Sequence, residues 1–294
     1  MSRLAALGYG AGWRLVRAVP DPLARRAFDA GGDRAARRGG PGIAQLRRNL
    51  ARVAPGADLD ALVRDAMRSY ARYWREAFRL PSQDLVALRS RLGVADAEHL
   101  DAALATGRGV VAVLPHTGNW DMAGVWLVGH SGEFSTVTQR LRPESLYRRF
   151  AAYRRALGFD IVPLTGQAQS PTLRLTRRLR SGGVVCLLSD RDLTGSGVTV
   201  DLFGSPARLP SGPARLAAAT GAALLPFGCW FTPDGWGMRF HPPVPVGGRA
   251  GVAAATQAVA DRFASDIAAH PADWHMLAPL WLADLPEPAL QPAG

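Results

Sequence analysis

The chain contains no lysine, so all 35 of its basic residues are arginine, and they stand against 24 acidic residues for a net charge of +11. Two cysteines, Cys186 and Cys229, are too few for a disulfide framework. Both lie inside apolar runs ("VVCLL", "LLPFGCWF"), which reads as buried thiols in a reducing compartment. No stretch reaches the ~18–20 continuous apolar residues that a spanning helix requires. The opening "MSRLAALGYGAGWRLVRAVP" is too interrupted by arginine and glycine for a secretory leader. Any membrane contact is therefore expected to be peripheral.

Several catalytic patterns are missing too. There is no G-x-S-x-G elbow ("GHSGE" at 129–133 misses it), no P-loop, no G-x-G-x-x-G and no H-E-x-x-H. Of the six histidines, His116, His130, His241, His270 and His275 are dispersed, and "HPADWHM" has no cysteine nearby to suggest zinc, so no metal site is expected. An activated-nucleophile enzyme is disfavoured, and a general base without a covalent intermediate is the economical alternative.

What is present is ordinary globular composition, 48% hydrophobic and 20% charged, with an uneven charge distribution. Residues 1–50 carry ten arginines against Asp21, Asp29 and Asp33. Leu4, Leu7, Trp13, Leu15, Val16, Leu23 and Phe28 stand between them. Such a segment can lie along an anionic bilayer or pack as a solvated helix pair on the core. Residues 58–91 read as a long amphipathic helix and a shorter one, broken at Pro81, with Leu62, Met67, Tyr70, Trp74 and Phe78 as a core stripe.

Beyond residue 95, strand-like runs at 109–114, 134–138, 159–164, 183–189, 198–203 and 222–231 alternate with helical patterns at 119–129, 143–157, 169–180 and 211–220. This predicts one α/β domain with a mostly parallel central sheet flanked by helices, plus a helical N-terminal extension. A strand pair over 222–241, turning at "TPDGWG", suggests an antiparallel edge. A final helix spans 251–269. The division is a basic amphipathic extension over 1–57, expected to face a membrane, and a catalytic domain over 58–294.

The strand ending at Leu114 delivers His116 to the carboxyl edge of the sheet, where open α/β sheets bind ligands. Asp121 falls in the first turn of the next helix and can point back at His116. It would fix the tautomer and leave the other ring nitrogen to take a proton from a substrate hydroxyl. The competing reading is a carboxylate serving a helix dipole beside a half-buried histidine. Spacing alone favours that second reading, since H-x4-D is common by chance. Backbone N–H groups near Gly118 and Asn119, and the arginines Arg140, Arg142, Arg148, Arg149, Arg154 and Arg155 set against Glu144, are candidate donors to a developing oxyanion. Leu146, Phe150, Tyr153 and Leu157 read as the buried stripe of their helix, with Arg148, Arg149, Arg154 and Arg155 on its flanks. "SDRDLTGSG" follows the strand 183–189, so Asp190 lies near His116 if the two strands are neighbours. Its "TGSG" (194–197) reads as a phosphate cradle or a plain turn. Gly212-Pro213 marks a helix start that is structural or anion-binding. Trp274 and Trp281 read either as interfacial anchors or as core.

Together, "PHTGNWDMAGVWL", "RLRPESLYRRFAAYRRALGFDIVPL", "VVCLLSDRDLTGSGVTVDLFGSPARLPSGPARLAAATGAALLPF" and "HPADWHMLAPLWL" resemble the phosphatidylinositol mannoside acyltransferases. These are part of the lipid A late acyltransferase superfamily, with its H-x4-D/E motif. The resemblance covers residues 40–285. It implies acyl transfer from a thioester, acyl-CoA (palmitoyl-CoA foremost), to a mannose 6-hydroxyl at the cytoplasmic face of the plasma membrane. It also implies catalytic roles for His116, Asp121 and Asp190, with Asn119, Arg140, Arg154, Arg191 and Ser196 binding substrate and Arg154 touching the acyl-CoA. Acyl-CoA is then a co-substrate, and no further cofactor is called for. Two positions depart from the family pattern, Gln139 and Asp190, where glutamate is expected. The alternatives are a late acyltransferase for another glycolipid with a carrier-protein donor, or an inactive basic protein that binds membrane or nucleic acid. Against the last, no nucleic-acid recognition motif occurs, so no nucleic-acid partner is expected.

Overall fold

The computed structural model describes residues 15–140, 143–166, 169–193 and 195–285. Leu4, Leu7, Trp13, Arg142 and Thr194 lie outside these residues, as does the Leu146 side chain. After a helical turn at 15–18 come three helices: α1 (Asp21–Arg38), α2 (Pro41–Val53) and α3 (Leu59–Arg79). Asp58 caps α3 by accepting from the Asp60 and Ala61 N–H groups, supplying two donors that the first turn leaves unpaired. The 57/58 division falls in the turn between α2 and α3, and Leu46, Leu50, Val63, Ala66 and Met67 form one apolar cluster across it. The stripe on α3 is centred differently from the sequence reading. Val63, Ala66, Met67, Tyr73 and Ala77 are buried, and Leu62, Tyr70, Trp74 and Phe78 are half-buried at its flank.

A 3-10 turn at Leu80–Ser82 and α4 (Leu85–Arg89) follow the break at Pro81. Next come β1 (Leu92–Ala95), α5 (Glu98–Ala105), β2 (Val110–Leu114), α6 (Trp120–Ser131) and β3 (Phe134–Thr138). The chain continues through α7 (Glu144–Ala156), β4 (Phe159–Pro163), α8 (Pro171–Arg180), β5 (Val184–Leu188), β6 (Val198–Leu202) and β7 (Ser205–Leu209). It closes with α9 (Gly212–Thr220), β8 (Ala223–Phe231), β9 (Trp236–Phe240) and α10 (Val252–Ala269).

The main sheet has the order β1-β9-β8-β2-β5-β3-β4. Only the β8–β9 pairing is antiparallel. The expected α/β class and mostly parallel sheet are therefore present. Two expectations change. The β8–β9 pair is not the edge, because β1 adds alongside β9 in parallel. The run 198–203 leaves the sheet and pairs with β7 as a separate antiparallel hairpin. Helices cover both faces of the central strands, so every residue of β2 is buried and reads as a continuous apolar run.

Trp274 and Trp281 are 0% and 1% exposed, which places both in the core rather than at an interface. The Trp281 Nε1–H donates to the Leu202 carbonyl. The segment around them is tied to α2 through Asn49, whose Nδ2 donates to the Met276 and Ala278 carbonyls.

Candidate active site

Register brings the site together. β2 and β5 are parallel neighbours in which Leu114 faces Leu188. Two residues further along each strand stand His116 and Asp190, and the ladder continues between them with Ser189 N–H donating to the Leu114 carbonyl at 2.9 Å. Asp190 is 2% exposed. Its Oδ1 lies 2.5 Å from His116 Nδ1, and its Oδ2 accepts from the His116 backbone N–H and from Trp274 Nε1, both at 2.9 Å. Burial opposes its charge, but the His116 imidazole and these donors outweigh burial and hold the carboxyl below the usual aspartate range. The ionised carboxylate only accepts, so Nδ1 carries a proton, and Nε2 is the ring nitrogen left for a substrate. The His116 side chain keeps 28% exposure.

The loop carrying His116 is held from two sides. Gly118 has φ +51°, and a Cβ there would meet the Cys229 carbonyl and the Trp230 backbone within about 2.9 Å, so only glycine lets the loop press onto β8. On its other side, the Gly118 N–H donates to the Asp273 carbonyl and the His275 N–H to the His116 carbonyl, giving an antiparallel bridge between Thr117 and Trp274. The Gly118 amide is therefore engaged and does not face a substrate. The Asn119 side chain is engaged as well. Its Oδ1 caps α6 at the Met122 N–H, and its Nδ2 donates to Glu76 Oε2, which also accepts from Trp236 Nε1.

Asp121 does not meet His116. The carboxylate is 1% exposed and lies in a separate cluster. Oδ1 accepts from Arg154 Nε at 2.9 Å, and Oδ2 from the Tyr73 and Tyr153 hydroxyls at 3.2 and 3.4 Å. The expectation that Asp121 orients the imidazole is thus replaced by Asp190. The physical reason is direction: Asp121 opens α6, and its carboxylate meets α3 and α7 instead. Burial drives both tyrosine hydroxyls well above their usual range, and the Asp121 charge adds to it. Burial alone would lower the Arg154 pKa; the adjacent carboxylate reverses that and raises it. Arg154, read as a flank residue, is largely buried and points inward.

An aromatic wall from α3 joins the two clusters. Trp120 packs tilted on Tyr73 at 3.8 Å between centroids and meets His116 edge-on at 5.4 Å. His275 is 7% exposed, and its Nε2 lies 2.9 Å from Ser69 Oγ, which donates to Asp273. Burial lowers its pKa to about 3, so it is neutral.

The remaining sequence-selected residues sit further out. Arg140 is exposed and paired with Glu144 through its Nε and Nη2. Arg148, Arg149, Arg155 and Gln139 are exposed, and so are Arg191 and Ser196 on the loop after β5. Within that loop the Gly197 N–H donates to Asp192, so this amide does not serve a phosphate cradle. Gly212-Pro213 does open a helix, α9. Among the described residues no group of three His, Cys, Asp or Glu is placed to share a metal ion.

Trp274, Tyr73, Tyr153, Glu76 and His275 escaped the sequence reading as site residues. Tyr73 and Glu76 were hidden inside an amphipathic helix. Trp274 and His275 stood in "HPADWHM", a segment already singled out, but nothing in it showed that the chain returns to the His116 loop.

A buried aspartate thus meets a half-buried histidine at the carboxyl edge of an α/β sheet, an arrangement in which an imidazole can act as a general base. The family model for bacterial lipid A biosynthesis acyltransferases matches residues 3–283, and the chain belongs to that family. It is 58% identical over 282 residues to the phosphatidylinositol mannoside acyltransferase of Mycolicibacterium smegmatis, covering 95% of this chain and 92% of that protein. It is 55% identical over 284 residues to a protein of the same name from Mycobacterium tuberculosis, covering 95% and 89%. The resemblance carried by the sequence motifs is borne out, and the chain is a glycolipid acyltransferase.

Proposed function

We propose that the protein transfers a fatty acyl group, palmitoyl foremost, from acyl-CoA to a mannose 6-hydroxyl of a phosphatidylinositol mannoside. The observation that carries this reading is the His116 Nδ1–Asp190 Oδ1 contact of 2.5 Å with the imidazole still half-exposed. His116 Nε2 takes the proton of the acceptor hydroxyl as that oxygen attacks the thioester carbon. Asp190 stabilises the imidazolium that forms. The tetrahedral oxyanion collapses, the C–S bond breaks, and the leaving thiolate takes the proton back from Nε2. The products are an ester and free CoA thiol.

Asp121 takes no proton in this scheme; with Tyr73 and Tyr153 it holds Arg154. Arg154 meets Asp121 through Nε, and in this reading its Nη groups serve an anionic donor or the oxyanion. The basic surface suits an anionic bilayer, and among the described residues no helix is long and apolar enough to cross a membrane. A peripheral position at the cytoplasmic face of the plasma membrane follows from this reading, with the basic helices α1 and α2 turned toward lipid.

The test is mass spectrometry of products formed by the purified protein from defined phosphatidylinositol mannosides with palmitoyl-CoA or an acylated carrier protein. An added acyl group on a mannose, dependent on acyl-CoA, supports the reading. Transfer only from the carrier protein, or only to another glycolipid, overturns the donor or the acceptor assignment.

A further inference from the structure

The Trp274 indole stands out among the groups around His116 because it touches no solvent and still reaches the relay. It is 0% exposed, and its Nε1–H donates to Asp190 Oδ2 at 2.9 Å. The same carboxylate oxygen accepts the His116 backbone N–H at 2.9 Å, while the other oxygen meets the imidazole. Two donors on Oδ2 fix the rotation of the carboxylate, so that Oδ1 is the oxygen presented to His116 Nδ1. The backbone repeats the arrangement. Trp274 bridges Thr117, and its two neighbours bond the carbonyl of His116 and the N–H of Gly118. The segment after α10 thus grips the His116 loop by its main chain and the Asp190 carboxylate by a side chain.

The geometry points to Trp274 as a positioning residue of the acyl-transfer reaction, which acts through Asp190 to set the orientation and tautomer of His116. This rests on the reading of His116 as the base. Trp281 supplies the internal comparison. It is equally buried, packs edge-on against Trp274 at 6.0 Å, and donates its Nε1–H to a backbone carbonyl of β6 instead of a carboxylate.

The experiment replaces each indole by β-(3-benzothienyl)alanine, which keeps the shape and exchanges the N–H for sulfur, in the full chain. Readouts are kcat and KM for both substrates, melting temperature, and the 1H–15N signals of His116 in the resting protein. Loss of one hydrogen bond to an ionised group should lower kcat about tenfold at position 274. Both KM values should stay unchanged, and the Nδ1–H resonance of His116 should move. The same exchange at 281 should leave kcat and that resonance where they are. Trp274→Phe should reproduce the loss of kcat with added loss of stability. An unchanged kcat, an unmoved His116 resonance at 274, or an equal loss of kcat from the exchange at 281 each overturns the inference. The resonance is read without substrate, so failure of the inference is separable from failure of the acceptor or donor assignment.

Discussion

Among the described residues two histidines lean on buried aspartates, and the proposed mechanism uses only one of them. His116 meets Asp190 at 2.5 Å, and His241, just after β9, meets Asp266 on α10 through Nε2 at 2.8 Å. Both carboxylates are nearly inaccessible, at 2% and 4% exposure. The differences lie in what surrounds the pair. Asp266 also binds the Arg239 guanidinium, so its charge is already matched, and His241 is itself buried. Asp190 receives only neutral donors besides His116, whose side chain is 28% exposed. A His–Asp contact thus says little by itself. The proposed base differs in its carboxylate, which has no other cation bonded to it among the described residues, and in an imidazole that keeps some exposure.

The largest effect that tests this contrast is removal of the base. His116→Ala should lower transfer by about 10³-fold or more and also lower the melting temperature, because the buried Asp190 carboxylate loses its imidazole partner. Asp190→Asn should cost about 10²–10⁴-fold in kcat with little change in KM, measured by steady-state kinetics. Asp266→Ala should leave kcat within about twofold and destabilise the fold by about 3 kcal/mol in denaturant titration, since it strands a histidine and an arginine. Equal kinetic losses in the two aspartate variants would erase the distinction.

Next in size is the second buried cluster. Arg154→Met leaves Asp121 without its cation and should cost about 3 kcal/mol in stability together with a loss of kcat. A smaller, pH-dependent effect involves His275. Burial holds its folded pKa at about 3, below the ordinary value of 6.5, so the unfolded chain binds the extra proton. Its contribution to stability is complete above about 6.5 and falls away as the pH drops toward 3. His275→Gln should flatten that part of the pH–stability curve. The smallest effect belongs to Arg148, whose side chain is 77% exposed on a helix surface; Arg148→Gln should change kcat by less than about twofold.

The parts of this contrast were unevenly legible in the sequence. The alternation of apolar strands with amphipathic helices revealed the sheet class, because β2 and β5 read as unbroken apolar runs. β1 and α5 were missed: four residues at Leu92–Ala95 alternate too briefly to register, and β1 forms a strand only by adding to β9, 144 residues downstream. His116 and Asp190 were both selected, but their pairing depends on β2 lying beside β5, which local patterns do not encode. Asp121 looked the better partner because it is close in sequence. The helix that begins at Trp120 turns it toward Arg154 instead. Trp274 was invisible for the same reason as the pairing, since its partner lies 84 residues away.

The tautomer of His116 is the most direct test of the account. It is read from the ring nitrogen shifts of 15N-labelled protein, in the unaltered chain and in Asp190→Asn and Asp121→Asn. The account predicts an Nδ1–H imidazole with a bare Nε2 in the unaltered chain, kept in Asp121→Asn and lost or mixed in Asp190→Asn. A proton on Nε2 in the unaltered chain, or a tautomer that follows Asp121 and ignores Asp190, would contradict it.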